Sequence, residues 1–279
     1  MRAWTTNRAG FTLIELSVVL VVIGLIVGGV LAGQDLIRAA SVRATISQID
    51  KLNVAVNVFR DKYKDNLPGD MSAADAASFG FLTRPGTVGA GDGNGILQVC
   101  GSNSNIGFYF GCETEMFWVD LAGAGLIEGS FNTSQASYSM NNNTDTWAGS
   151  SIAPYLPSAK MGTGNYIAVI SGKGSNYFAL AQITSLNGVY GAQGNLTPLV
   201  AQSIDTKMDD GVPLTGNVQA ADICASCGGS NWLSGSFTPS TGTSAANCIS
   251  NPAGPFVNTY NNLGTSGTTP ACQLAFKFQ

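Results

Sequence analysis

The 19 residues from Leu16 to Gln34 carry no charge, and the run is apolar through Gly33. About 20 apolar residues cross the hydrocarbon core of a bilayer, and buried helices of soluble proteins rarely hold so long a run. The segment therefore predicts a membrane-spanning helix. Beyond Gln34 the pattern becomes amphipathic. Val42, Ile46, Ile49, Leu52, Val56, Phe59 and Tyr63 recur in steps of three and four, with Arg43, Gln48, Asp50, Lys51, Asn57, Arg60 and Lys64 largely between them. That spacing marks one face of a helix. No proline interrupts the chain between Phe11 and Leu67. One helix over 11–66 is predicted, on the order of 84 Å long at 1.5 Å per residue. Its part 11–34 is the membrane segment and 35–66 an amphipathic spine; Pro68-Gly69 stops it. Glu15 lies in the first turn of the apolar run, where an unpaired carboxylate costs about 2.5–3.5 kcal/mol. A cationic partner is expected there.

The remainder, 67–279, reads as one extracytoplasmic head. Gly86 to Gly95 is a glycine-rich loop within a long insertion over 67–164. Thr114 to Ala122 predicts a short helix capped by Thr114, with Phe117, Trp118 and Leu121 on its apolar face. Tyr166-Ile167-Ala168-Val169-Ile170 and Tyr177-Phe178-Ala179-Leu180-Ala181 predict two antiparallel strands around a loose loop. Thr197-Pro198 sets a cap and an N1 proline before a helix to Met208, closed by Gly211. Val218–Ile223 and Leu274–Phe278 are further strands. Trp118, Trp147 and Trp232 read as core or strand-edge aromatics rather than a glycan surface.

Composition narrows the function. The 279 residues hold 13 basic and 17 acidic side chains. Removing Arg2 and Arg8 with residues 1–10 leaves 11 basic residues against 17 acidic ones, which argues against a nucleic-acid partner. There is no histidine. Histidine acid–base catalysis, Ser-His-Asp triads and His-ligated metals are thereby excluded together. Six cysteines, Cys100, Cys112, Cys224, Cys227, Cys248 and Cys272, make an even number in an exported chain and predict disulfides, for which 15 connectivities are open. Cys100–Cys112 is the simplest local loop, and Cys224 and Cys227 are expected to reach toward Cys248 and Cys272. Cys224-Ala225-Ser226-Cys227 has neither a βαβ setting nor a second CxxC, against redox or zinc chemistry. Asp205, Asp209 and Asp210 gather at a helix end before Gly211, hard oxygen ligands that suit calcium; Asp92-Gly93-Asn94-Gly95 is a sparser acidic turn, and neither is an EF-hand loop. Gly91 to Gly95 is no phosphate loop, since the lysine and following helix are missing.

Gly10-Phe11-Thr12-Leu13-Ile14-Glu15-Leu16, behind a short basic leader and ahead of the apolar helix, resembles the N-terminus of type IV prepilins and type II secretion pseudopilins. The resemblance covers about the first fifth of the chain. It implies a leader, 1–10, cut between Gly10 and Phe11 by a prepilin peptidase, and N-methylation of Phe11. It implies that Glu15 pairs with the new α-amino group of a neighbouring subunit, which supplies the missing cation and sets register. Arg2 and Arg8 keep the leader cytoplasmic, so the head faces outward. The implied fold is α+β and pilin-like: the long helix packed on an antiparallel sheet with long disulfide-bonded loops. The implied protein is a structural, non-catalytic subunit. It is held single-pass in the inner membrane with a periplasmic head, then polymerised with other pilins at an assembly platform into a surface pilus or a periplasmic pseudopilus. Some pseudopilins hold calcium before their C-terminus. Many pilins carry a proline in this helix; here Gly28-Gly29 is the expected loosening point, and Gly24/Gly28 and Gly29/Gly33 are spaced for close helix approach. The rival class is a single-pass anchored enzyme or binding module.

Overall fold

The computed structural model describes residues 12–84, 86, 89–98, 111–131, 152–162, 164–172, 174–187, 189–222, 248–250, 259–262 and 267–279. One helix, α1, runs Leu13–Lys62 without a break. The face read from the sequence is the one that packs. Val42, Ile49, Leu52, Val56, Phe59 and Tyr63 are buried, and Ile46 lies against the same core. The helix ends at Lys62 with Tyr63 as its C-cap, short of the expected 66. Lys64 and Asp65 turn into the left-handed region, with φ of 57° and 62°. The Asp65 amide closes back on the Arg60 carbonyl at 2.8 Å and Asn66 Nδ2 donates to the Tyr63 carbonyl. Local capping thus stops the helix before Pro68 is reached.

Between α1 and the sheet lie α2 (Ala73–Phe79), capped by Ser72, and α3 (Glu113–Gly123). Thr114 does not cap α3, contrary to expectation. The helix begins one residue earlier at Glu113, and the Thr114 hydroxyl turns back to the Gly111 carbonyl at 3.0 Å. Then come β1 (Asn165–Gly172), β2 (Ser175–Asn187), β3 (Val189–Gln193), α4 (Pro198–Met208), β4 (Val218–Asp222), β5 (Ile249–Ser250), β6 (Thr259–Tyr260) and β7 (Cys272–Lys277). The α4 start is as read: Thr197 Oγ1 accepts the Val200 amide and Pro198 sits in the first turn.

The main sheet is antiparallel, in the order β1-β2-β7-β4, with β3 also beside β2. The predicted hairpin pairs Ile167 with Leu180 and Val169 with Phe178. Consecutive residues of β1, β2 and β7 are buried, so both faces of these strands are covered. Small residues (Ala168, Ala179, Ala181, Ala275) let the layers close. Phe117 and Trp118 of α3 meet Phe178, and Phe178 stacks on Phe278 at 4.3 Å between ring centres. One core therefore joins the second half of α1, α3, α4 and the sheet.

Candidate functional site

The first half of α1 touches none of this core. Leu13, Leu25, Leu36 and Ile37 are between 72% and 89% exposed, and the apolar residues between them are all exposed. A methyl group added at Gly24, Gly28, Gly29 or Gly33 meets nothing within 4 Å. The arm is long and apolar enough to cross a membrane by length and composition.

Thr12 and Glu15 fix how the arm begins. The Thr12 amide donates to Glu15 Oε2 at 2.8 Å and the Thr12 hydroxyl to the same oxygen at 2.9 Å. The Glu15 amide donates back to Thr12 Oγ1 at 3.3 Å. This is a reciprocal capping box, which satisfies donors that a helix start leaves open. The Thr-x-x-Glu spacing was legible in the sequence and was not read there. The carboxylate is held at the helix N-terminus, on the side where residue 11 joins. Gly10, Phe11 and the leader 1–10 lie outside the described residues.

Of the cysteines, Cys248 and Cys272 pair with each other, 4.8 Å apart at Cα. This corrects the expectation that Cys224 and Cys227 reach them. Cys272 opens β7, and the Asn261 amide donates to the Cys248 carbonyl, so the β5–β6 ribbon brings Cys248 to the sheet. Cys112 is disulfide-bonded. Cys100, Cys224 and Cys227, with Trp147 and Trp232, lie outside the described residues. Trp118 is a core residue, fully buried.

The three aspartates at the α4 end do converge, with oxygens within 4.8 Å of one another. Each of the three accepts hydrogen bonds from nearby donors. Asp205 accepts from the Gly211 amide at 3.2 Å and the Tyr260 hydroxyl at 2.8 Å. Asp209 accepts from the Asn217 and Val218 amides. Asp210 accepts from the Val212 amide at 2.8 Å and the Thr215 hydroxyl at 2.5 Å. Burial pushes the Asp205 carboxyl up to about 6 despite those bonds. N–H and O–H groups aimed at the carboxylates make a self-capped turn that ties α4 to β4 and β6.

A second convergence was not read from the sequence. Asp70, Asp92 and Glu113 come from three segments and have oxygens within 4.8 Å of one another. Asp70 and Glu113 are 1% and 0% exposed. Asp70 accepts from the Gly93 and Gly95 amides at 2.9 and 2.6 Å. Glu113 accepts from the Gly91 and Gln98 amides at 2.8 and 2.7 Å. The glycine-rich loop is thus fastened by four backbone donors to two buried carboxyls. Burial, and then the neighbouring Asp92, push Asp70 up to about 7, and burial and the charge of Asp70 push Glu113 up to about 9. The four amide donors hydrogen-bond both buried carboxyl groups.

Next to it, Arg84 Nη2 meets both oxygens of Asp120 at 2.5 Å, with both side chains buried. The Gly69 amide donates to Asp120 Oδ2 at 2.6 Å, and Arg84 Nη1 to the Met71 carbonyl at 3.1 Å. Burial pushes the Asp120 carboxyl up, and Arg84 and Gly69 pull against it. Gly69 has φ of +86°, and a Cβ there would lie 2.2 Å from the Glu113 carbonyl oxygen. These groups tie α3 to the segments 69–71 and 84 within the insertion.

No curated protein and no solved structure matches the chain. The prokaryotic N-terminal methylation motif matches residues 5–31, a span that contains Gly10, Phe11, the Thr12–Glu15 capping box and most of the uncharged arm. The chain thus carries the prepilin-type cleavage and methylation motif of type IV pilins and pseudopilins, continued into a long helix and an antiparallel sheet in a pilin-like α+β layout.

Proposed function

We propose that the protein is the precursor of a structural subunit of a type IV pilus-like surface filament. Prepilin peptidase cuts between Gly10 and Phe11, and Phe11 is N-methylated. The subunit waits in the inner membrane by a single span, with its head on the far side, and is then drawn into a filament through α1 at an assembly platform. The observation that carries this reading is the bare arm. More than twenty residues of α1 project from a well-packed head with their apolar side chains uncovered. Apolar surface on that scale needs lipid or other helices around it. The motif at 5–31 supplies both in turn: lipid before assembly, neighbouring arms after.

In this reading Glu15 serves assembly. Its carboxylate already stands at the helix start, held by Thr12, and the α-amino group exposed by cleavage is the cation of a neighbouring subunit. The head forms the filament surface and has no catalytic role. A periplasmic pseudopilus uses the same arm, and the test must separate the two. Cells are sheared, and the released material is examined by electron microscopy and mass spectrometry for this chain. Fibres in the sheared fraction that contain the head peptides support a surface filament. The chain confined to the periplasm and inner membrane, with loss of secreted enzymes on its deletion, overturns that assignment in favour of the secretion filament.

A further inference from the structure

The Asp70, Asp92 and Glu113 cluster lies in the head, outside the processing and assembly steps proposed above. Its chemistry is unusual for a stabilising device. Three carboxyl groups approach within 4.8 Å, two of them almost wholly shielded from water. Ionising all three in that space sets like charges against each other in a poorly solvated site. The cations on the packed elements are engaged elsewhere or exposed. Arg84 pairs with Asp120 at 2.5 Å, Lys64 at the end of α1 pairs with Asp75 at 2.9 Å, and Lys277 at the end of β7 faces solvent. The other acids nearby, Asp75, Glu115 and Asp120, add no positive charge. The four amide donors offset part of the charge, and burial with mutual repulsion outweighs them. A proton can neutralise the buried carboxyls without displacing the amide donors.

From this juxtaposition we infer that the cluster is a proton-operated clasp: the carboxyl groups of Asp70 and Glu113, packed together beside Asp92, retain protons at neutral pH, and losing them releases the loop 89–98 from the head. The loop is the part able to respond. It is held at its two ends by the buried carboxyls, and at Gly95 and Leu97 by Asn176 of β2, which bonds the Gly95 carbonyl and the Leu97 amide at 2.9 Å each. Its tip, Gly93 and Asn94, is exposed, and Asp92 is half-buried beside that tip. The sign follows from linkage. Asp70 and Glu113 hold protons more tightly in the folded head than in the unfolded chain. Their contribution to stability is complete below the ordinary carboxylate range and is lost as pH rises through about 7 and then about 9. The loop is fastened in acid and loosened in alkali, whichever filament the chain builds.

The test uses the full chain in detergent micelles. Amide exchange at Gly91, Gly93, Gly95 and Gln98 is measured at about pH 6 and about pH 9 and corrected for intrinsic rates. Protection should fall by at least about tenfold at the higher pH, the effect of one unit of raised pKa. Amides of β1 and β2 should keep theirs. The infrared band of protonated carboxyl groups should disappear over the same range and be weaker in Glu113→Gln. Asp92→Asn removes one charge at the half-buried position, and its loop protection should stay within about threefold between the two pH values. Wild-type protection that is unchanged by pH overturns the clasp. So does a loss of equal size in Asp92→Asn, or protection that depends on calcium and not on pH.

Discussion

Asp120→Asn isolates the buried charge that ties α3 to the segments 69–71 and 84 of the insertion. The substitution keeps the shape of the side chain and removes its negative charge. Arg84 then keeps a guanidinium whose side chain is 0% exposed, with no counter-ion. The new amide also turns an N–H toward either Arg84 or the Gly69 amide, both of them donors. Removing one partner of a buried pair typically costs about 3–5 kcal/mol. Whole domains are stable by about 5–15 kcal/mol, so this is a large share. At about 2–4 °C per kcal/mol for a domain of this size, the melting temperature should fall by roughly 6–20 °C. Near-ultraviolet circular dichroism of the full chain in detergent reads the loss directly, because Trp118 sits two residues from Asp120 in α3. The double variant Arg84→Met with Asp120→Leu should recover most of it, since an apolar pair of similar volume often replaces a buried ion pair without cost. An Asp120→Asn variant within about 1 kcal/mol of wild type refutes the reasoning, because the guanidinium must then find water or another anion.

Glu15→Gln should fold, insert and keep its helix start, since glutamine also serves in a capping box, yet give few or no filaments by electron microscopy; wild-type fibre yield would show that the charge is not used. Gly69→Ala should destabilise the head by more than about 1 kcal/mol in thermal unfolding, because the added carbon meets the Glu113 carbonyl and the φ of +86° is strained for alanine. Chelating calcium should move the melting temperature by less than about 2 °C, under 1 kcal/mol, given the donors already on Asp205, Asp209 and Asp210; a larger drop would make that turn a calcium site.

What could be read ahead of the structure was whatever repeats locally. The buried face of α1 followed from steps of three and four, and the β1–β2 hairpin from two runs rich in β-branched and aromatic residues. The Thr197-Pro198 start of α4 was legible for the same reason. Two-residue strands such as β5 and β6 carry too few positions to show a period, and β3 includes Gly191. The acidic convergences divide along this line. Asp205, Asp209 and Asp210 lie on one turn and were seen together, whereas Asp70 and Glu113 are far apart in the chain and meet only because α3 packs against the turn after α1. The Arg84–Asp120 pair spans 36 residues and leaves no local trace. The cysteine pairing failed likewise: spacing permits many closures, and the sheet register selects Cys248–Cys272.

The central claim is that the bare arm enters a filament only after the leader is removed. The most direct measurement is the intact mass and N-terminal peptide of the chain recovered from purified fibres. The account predicts a subunit that begins at Phe11, carries one methyl group on its α-amine, and lacks Met1 to Gly10. Fibres built from chains that still begin at Met1, or from chains that start inside the head without the arm, would contradict it.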